Sequence, residues 1–186
     1  MNESELKEEK VFGELIYDGV VLKVAKDRVL LPNGKEAVRE YCLHVGAVCI
    51  LPITDDGNVI MERQYRYPHG RVFFEIPAGK LDSPDEDPMK AAARELREET
   101  GAIAGKLTYL GRIDTTPAII NEKIHLFLAE ELSWASKKLD EDEFLFVEEI
   151  PFAKLYDMVL SGNVADAKTQ IAVLKAAALM PHLINK

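Results

Sequence analysis

The chain has 186 residues, 47% of them hydrophobic and 30% charged, enough for one domain with a proper core plus a small appendage. Its net charge of −9, from 23 basic and 32 acidic side chains, argues against nucleic acid or an anionic membrane as the main partner. The polar opening MNESELKEEK lacks the basic-then-apolar build of a signal peptide. The longest apolar stretch, 45–53, is too short to span a bilayer, and Cys42 and Cys49 show no C-x-x-C spacing. A cytoplasmic chain with reduced thiols and no zinc is therefore expected.

Residues 1–44 read as a small β subdomain of hairpins, with strands over 11–17, 20–25, 28–31 and 36–43. Lys26-Asp27 and Asn33-Gly34 are the expected turns, the second being the stronger signal because Asn-Gly accepts the positive φ a tight hairpin needs. So few residues can hardly bury a core alone, which points to packing on the body or on a second subunit and supports a homodimer.

Residues 45–186 form the second expected domain. Strands are expected over 48–53, 59–65, 72–76, 107–113, 123–129 and 144–150, with Asp56-Gly57 turning between the first two. Helices are expected near 88–100, over 152–160 and over 165–180, the last ending before Pro181 with an Ile171, Leu174, Ala178 core stripe. Strands and helices do not alternate strictly, so the fold class is α+β, a sandwich rather than a doubly wound sheet.

The helix near 88–100 carries the chemistry. Asp87-Pro88 offers an N-cap followed by proline at the first helical position, Ser83 with Glu86 is an alternative capping box one turn earlier, and Gly101 stands where a C′ glycine ends a helix. Met89, Ala92, Ala93 and Leu96 read as the docking stripe. Glu95, Glu98 and Glu99 crowd one face, and like charges at i,i+4 repel. Such a row is a solvated surface or a site for hard cations, and magnesium takes just these oxygen ligands together with substrate phosphates. Glu86, eight residues before Arg94, reads as a loop-to-helix salt bridge of structural purpose.

Gly79, Glu86 and the run Arg94-Glu95-Leu96-Arg97-Glu98-Glu99-Thr100-Gly101 resemble the Nudix box. Arg, three Glu and Gly at those offsets arise by chance in about one window in 10⁶. Six residues rather than the usual five separate Gly79 from Glu86, and the extra one falls in the loop before the helix.

The resemblance implies an α/β/α sandwich with an N-terminal antiparallel β-hairpin subdomain, and hydrolysis of a diphosphate bond with about two or three Mg²⁺, or Mn²⁺, per active site. It implies Glu95 and Glu99 as principal metal ligands, Glu98 as a third, and the Ala78 carbonyl as a fourth donor. Relatives that hydrolyse ADP-ribose carry a glutamate-rich loop that supplies the base and a further ligand. The run at 139–143 matches it, giving Glu141 and Glu143 those two roles in either order.

Pro117, sixteen residues beyond Gly101, resembles the proline that marks ADP-ribose and nucleoside-diphosphate-sugar pyrophosphatases, although Thr116-Pro117-Ala118 replaces their usual Ser-Pro-Gly. By the same similarity Glu122 approaches the terminal ribose or sugar, Arg66 pairs with the diphosphate, and Tyr17 and Arg39 stack on or hydrogen-bond the base. The N-terminal subdomain is implied to exchange between the subunits of a homodimer. The implied partner is a small nucleotide sugar such as ADP-ribose or GDP-mannose. Two alternatives are a housecleaning hydrolase of nucleoside triphosphates or dinucleoside polyphosphates, and a non-catalytic nucleotide-sensing module.

Overall fold

A computed structural model describes residues 2–139 and 144–185. The chain divides into two units, Met1–Val45 with Asp114–Lys123, and Gly46–Ile113 with Ile124–Lys186. The sequence reading put 114–123 with the second domain. In the structure this segment is tied to the N-terminal strands instead, because Cys42 N–H donates to the Ile119 carbonyl (2.8 Å) and His44 N–H to the Asn121 side chain (2.7 Å).

The first unit is an antiparallel sheet in the order β1-β2-β3, formed by β1 (Glu9–Asp18), β2 (Lys23–Leu30) and β3 (Glu36–Leu43). Asn33-Gly34 makes the expected turn, with Gly34 at φ +78°. Lys26-Asp27 does not turn: it lies inside β2, where the reading expected two strands. Asp27 is buried there, meeting Lys10 Nζ at 2.9 Å and accepting a hydrogen bond from the Tyr41 hydroxyl, so its charge is held by contacts distant in sequence. The turn falls at Gly19, whose N–H donates to the Leu22 carbonyl. Val11, Phe12, Leu15, Ile16, Val20 and Val21 all remain exposed.

The second unit is built around β4 (Ala47–Pro52), buried along its whole length. Side chains alternate across a strand. Val48 and Ile50 pack with Ala91, Ala92 and Leu96 of α1 (Pro88–Thr100), whereas Cys49 and Leu51 pack with Phe152 and Leu155 of α2 (Phe152–Leu160) and Ala172 and Val173 of α3 (Ala167–Leu179). One strand thus feeds two cores, which produces the helix–sheet–helix sandwich and explains why its sequence is an unbroken apolar run. β4 pairs parallel with β9 (Lys123–Trp134) and antiparallel with β7 (Ala78–Lys80), in a sheet ordered β7-β4-β9-β8 with β8 at Ala102–Asp114. The second sheet is β10-β5-β6, from β5 (Asn58–Arg66), β6 (Arg71–Glu75) and β10 (Leu145–Pro151). No helix among the described residues is long and apolar enough to cross a membrane.

The differences from expectation are local. β7 is three residues long and carried no pattern of its own. Both apolar stripes were misjudged. In α1 the buried face is Ala91, Ala92, Leu96, Glu99 and Thr100, with Met89 and Ala93 exposed. In α3 the buried face is Thr169, Ala172, Val173, Ala176 and Ala177, with Leu174 and Ala178 exposed and Ile171 half-buried. Polar residues occupy one edge of each buried face, which rotates the true stripe away from the most hydrophobic letters.

Caps fix the ends of α1. Asp87 accepts from Met89 N–H (2.9 Å), so the Ser83 alternative is not used. Gly101 ends the helix at φ +78°, and a Cβ there would lie 2.6 Å from the Ala135 carbonyl oxygen. Gly101→Ala is expected to lower stability by about 2 kcal/mol, from left-handed strain plus displacement of that backbone. Urea denaturation checks this, and a loss below about 0.5 kcal/mol would contradict it.

Candidate active site

Strand β7 runs directly beneath the acidic face of α1. Ala78 N–H donates to Glu99 Oε2 (3.0 Å), which draws that carboxylate inward until the residue is 3% exposed. One residue on, a Cβ added to Gly79 would lie 2.0–2.2 Å from the Glu95 carboxylate. Only glycine lets the strand and the carboxylate approach this closely. The backbone at Ala78-Gly79 and the acids Glu95 and Glu99 therefore meet in one place.

Arg94 supplies the countercharge. Its Nη1 reaches Glu95 at 2.7 Å and Glu98 at 3.2 Å, while Nη2 reaches Glu86 at 3.4 Å, the Lys80 carbonyl at 3.3 Å and Asp82 at 3.6 Å. Partial burial opposes its charge, but the hydrogen bond to Glu95 and the charges of Glu95, Asp82 and Glu86 outweigh it and hold the guanidinium above its ordinary range. The pairing with Glu86 stands where spacing placed it. The bridge to Glu95 and Glu98 was not read from the sequence.

Among the described residues no three acidic, histidine or cysteine side chains are gathered in an arrangement that could hold a metal ion. The chemistry nonetheless fits a hard cation. The donors are oxygens only, the Gly79 cradle keeps one carboxylate against the backbone, and a cationic guanidinium already bridges two of them.

Arg66, at the end of β5, is held from below. Its Nε donates to Glu75 Oε1 (2.7 Å) on β6, and its terminal amino groups make no hydrogen bond among the described residues. Glu75, 2% exposed, gives its other oxygen to Lys168 Nζ. Lys168 also reaches Asp166 (3.0 Å), the N-cap of α3. Thr169 completes the group, donating its hydroxyl to Asp166 and accepting from Ile76 N–H (3.0 Å). Burial works against charge on Glu75, yet Arg66 and Lys168 overcome it and keep the carboxyl below the usual glutamate range. Lys168 is likewise opposed by burial and held above the usual lysine range by Asp166 and Glu75. Sequence reasoning missed Glu75, Asp166, Lys168 and Thr169. The available signals were a lone glutamate inside the apolar run 72–76 and the Asp166-x-x-Thr169 cap spacing.

The remaining expected residues divide. Glu141 and Glu143 lie outside the described residues. The segment before them is fastened to the C-terminal end of α1, through Ala135 N–H to the Gly101 carbonyl (2.7 Å) and Lys138 N–H to the Glu98 carbonyl (3.0 Å). Arg94, Arg97, Lys137 and Lys138 line a cleft of about 620 Å³ there together with Glu98 and Ile103.

In the first unit Glu122 accepts from the Thr115 hydroxyl (2.8 Å), and Arg39 pairs with Glu8 through Nε at 2.9 Å. Tyr17 stands opposite Val24, and Arg39 opposite Asp27. Positions 24 and 27 of β2 alternate to opposite faces, so the sheet does not bring Tyr17 and Arg39 together.

Comparison with known proteins accords with this geometry. The NUDIX domain profile matches residues 43–172. The chain is 45% identical over 170 residues to an ADP-ribose pyrophosphatase of Bacillus subtilis (strain 168), covering 90% of this chain and 91% of that one. It is 39% identical over 169 residues to a methanol dehydrogenase activator of Bacillus methanolicus, with coverage of 90% and 91%. The crystal structure of an ADP compounds hydrolase superposes with a TM-score of 0.83 at 25% identity, covering 95% of each chain. With α1, its glycine cradle and its carboxylates all inside the matched span, the chain belongs to the NUDIX domain family.

Proposed function

We propose that this protein hydrolyses the diphosphate bond of ADP-ribose or a related nucleoside diphosphate sugar such as GDP-mannose, giving a nucleoside monophosphate and a sugar phosphate. The observation that carries the reading is the docking of Ala78-Gly79 against Glu99 and Glu95, which holds two carboxylates and a backbone strand edge around one point. The similarity to an ADP-ribose pyrophosphatase over nine-tenths of the chain supports the substrate class.

Members of this family generally depend on divalent metal. Glu95, Glu98, Glu99 and the Ala78 carbonyl would hold it here, as about two or three Mg²⁺ or Mn²⁺ ions. When bound, such ions neutralise diphosphate charge and acidify the attacking water. The protein groups do the rest. Arg94 pairs with Glu95 and Glu98 and offsets their mutual repulsion. Arg66 presents its terminal amino groups to the diphosphate oxygens, a geometry suited to bidentate pairing. Glu141 and Glu143 supply the base and a further ligand, in an order left open.

In the first unit, Glu122 meets the terminal sugar, and Tyr17 and Arg39 contact the base. Because those two occupy opposite faces of one sheet, a base held by both takes one from each subunit of a homodimer with exchanged N-terminal subdomains. The exposed Val11, Phe12, Leu15 and Ile16 support such an assembly. A cytoplasmic location accompanies this reading, where nucleotide substrates are made and the free Cys42 and Cys49 stay reduced.

The direct test is turnover with Mg²⁺ of ADP-ribose, GDP-mannose and UDP-glucose, read by phosphate release with alkaline phosphatase as coupling enzyme, and of ATP read by chromatography. Cleavage of at least one nucleotide sugar to monophosphates is expected. Turnover of ATP alone, or of nothing, would contradict the reading. Glu99→Gln keeps the acceptor for Ala78 N–H while removing the charge, and is expected to lower kcat by about 100-fold or more with the melting temperature nearly unchanged. Gly79→Ala must displace the Glu95 carboxylate and is expected to cost about 10- to 100-fold in kcat. Full activity in either variant would remove that residue from the site.

A further inference from the structure

We infer that Lys168 is a positioning residue for substrate binding: by occupying one oxygen of buried Glu75, it leaves Arg66 a single anchor and so keeps the guanidinium aimed outward at the diphosphate. The inference rests on the reading that Arg66 binds the diphosphate.

A carboxylate has two oxygens and prefers to spend both on one guanidinium in a bidentate pair. Glu75 does not do so. Oε1 accepts from Arg66 Nε alone (2.7 Å), because Oε2 is taken by Lys168 Nζ. Lys168 is itself fixed, with its side chain 12% exposed and Asp166 at 3.0 Å on its other side. Arg66 is left with 39% of its side chain exposed and its terminal amino groups uncommitted among the described residues.

Two further features argue against a purely stabilising purpose. Burying Glu75 and most of Lys168 contributes little net stability compared with apolar side chains of the same volume, because each ion must be desolvated. These charges are also not isolated: the charges of Asp166 and Glu99 both act on Arg66, so the arginine sits within electrostatic reach of the acidic helix. Without Lys168, Glu75 Oε2 would be a buried anionic oxygen with its cation gone. The guanidinium whose Nε already donates to Oε1 carries further N–H donors of its own. The guanidinium would then fold inward to a bidentate pair, and its outward edge would be lost to the ligand.

The test is a double-mutant cycle in ADP-ribose affinity, measured by calorimetry in EDTA so that neither metal nor turnover enters. Wild type, Arg66→Ala, Lys168→Met and the double variant are compared, with Lys168→Gln replacing Met if the latter does not fold. Lys168→Met is expected to weaken binding by about tenfold in the wild-type background and by less than about twofold when Arg66 is already absent. Lys168→Arg, which keeps the charge, is expected to recover most of the loss. In turnover assays the effect should appear in KM more than in kcat. Equal losses in both backgrounds would show that Lys168 acts independently of Arg66 and would overturn this inference alone. If the wild-type protein binds no ADP-ribose in EDTA, Arg66 makes no metal-independent contact with the diphosphate and this inference is overturned, whereas the functional reading falls only if the turnover panel with Mg²⁺ is also inactive.

Discussion

Three carboxylates on one face of a helix repel one another, and the surroundings of α1 are arranged around that repulsion. Arg94 sits between Glu95 and Glu98, Ala78 N–H draws Glu99 inward, and Gly79 leaves the space in which Glu95 lies. Each device lowers the cost of keeping the acids together.

The same logic explains why residues 75–79 are clamped from two helices. From one side Glu99 of α1 accepts from Ala78 N–H, and the Glu95 carboxylate lies where a side chain on Gly79 would be. From the other, the cap of α3 holds Ile76 N–H through Thr169 and Glu75 through Lys168. The segment therefore joins the acidic face to Arg66. Its rigidity follows from packing, since β4 beside it is buried against both helices. A diphosphate bound between metal-holding acids and Arg66 would be located by protein groups that move little, which is where phosphoryl transfer gains most.

Helix ends and one hairpin were legible from local signals in the sequence. Asp87-Pro88 and Gly101 marked the ends of α1, and Asn33-Gly34 marked a hairpin. What escaped was set by contacts across long stretches of chain. Lys26-Asp27 looked like a turn because its stabilising partners, Lys10 and Tyr41, are brought in only by the finished sheet. Segment 114–123 joined the first unit through hydrogen bonds to β3 that no local pattern announces. Glu75 and Lys168 lie 93 residues apart, and neither is conspicuous alone. The stripes of α1 and α3 were misplaced because Glu99 and Thr169 are polar yet buried, each satisfied by a backbone N–H of the segment between the helices.

The central claim is that this acidic cluster gathers divalent cations around a bound diphosphate. Calorimetric titration of Mg²⁺ into the protein, with and without a non-hydrolysable methylene analogue of ADP-ribose, tests it most directly. The account predicts uptake of about two or three equivalents in the presence of the analogue and weaker uptake without it, where Arg94 competes for the same carboxylates. No uptake of Mg²⁺ or Mn²⁺ with the analogue bound would contradict it.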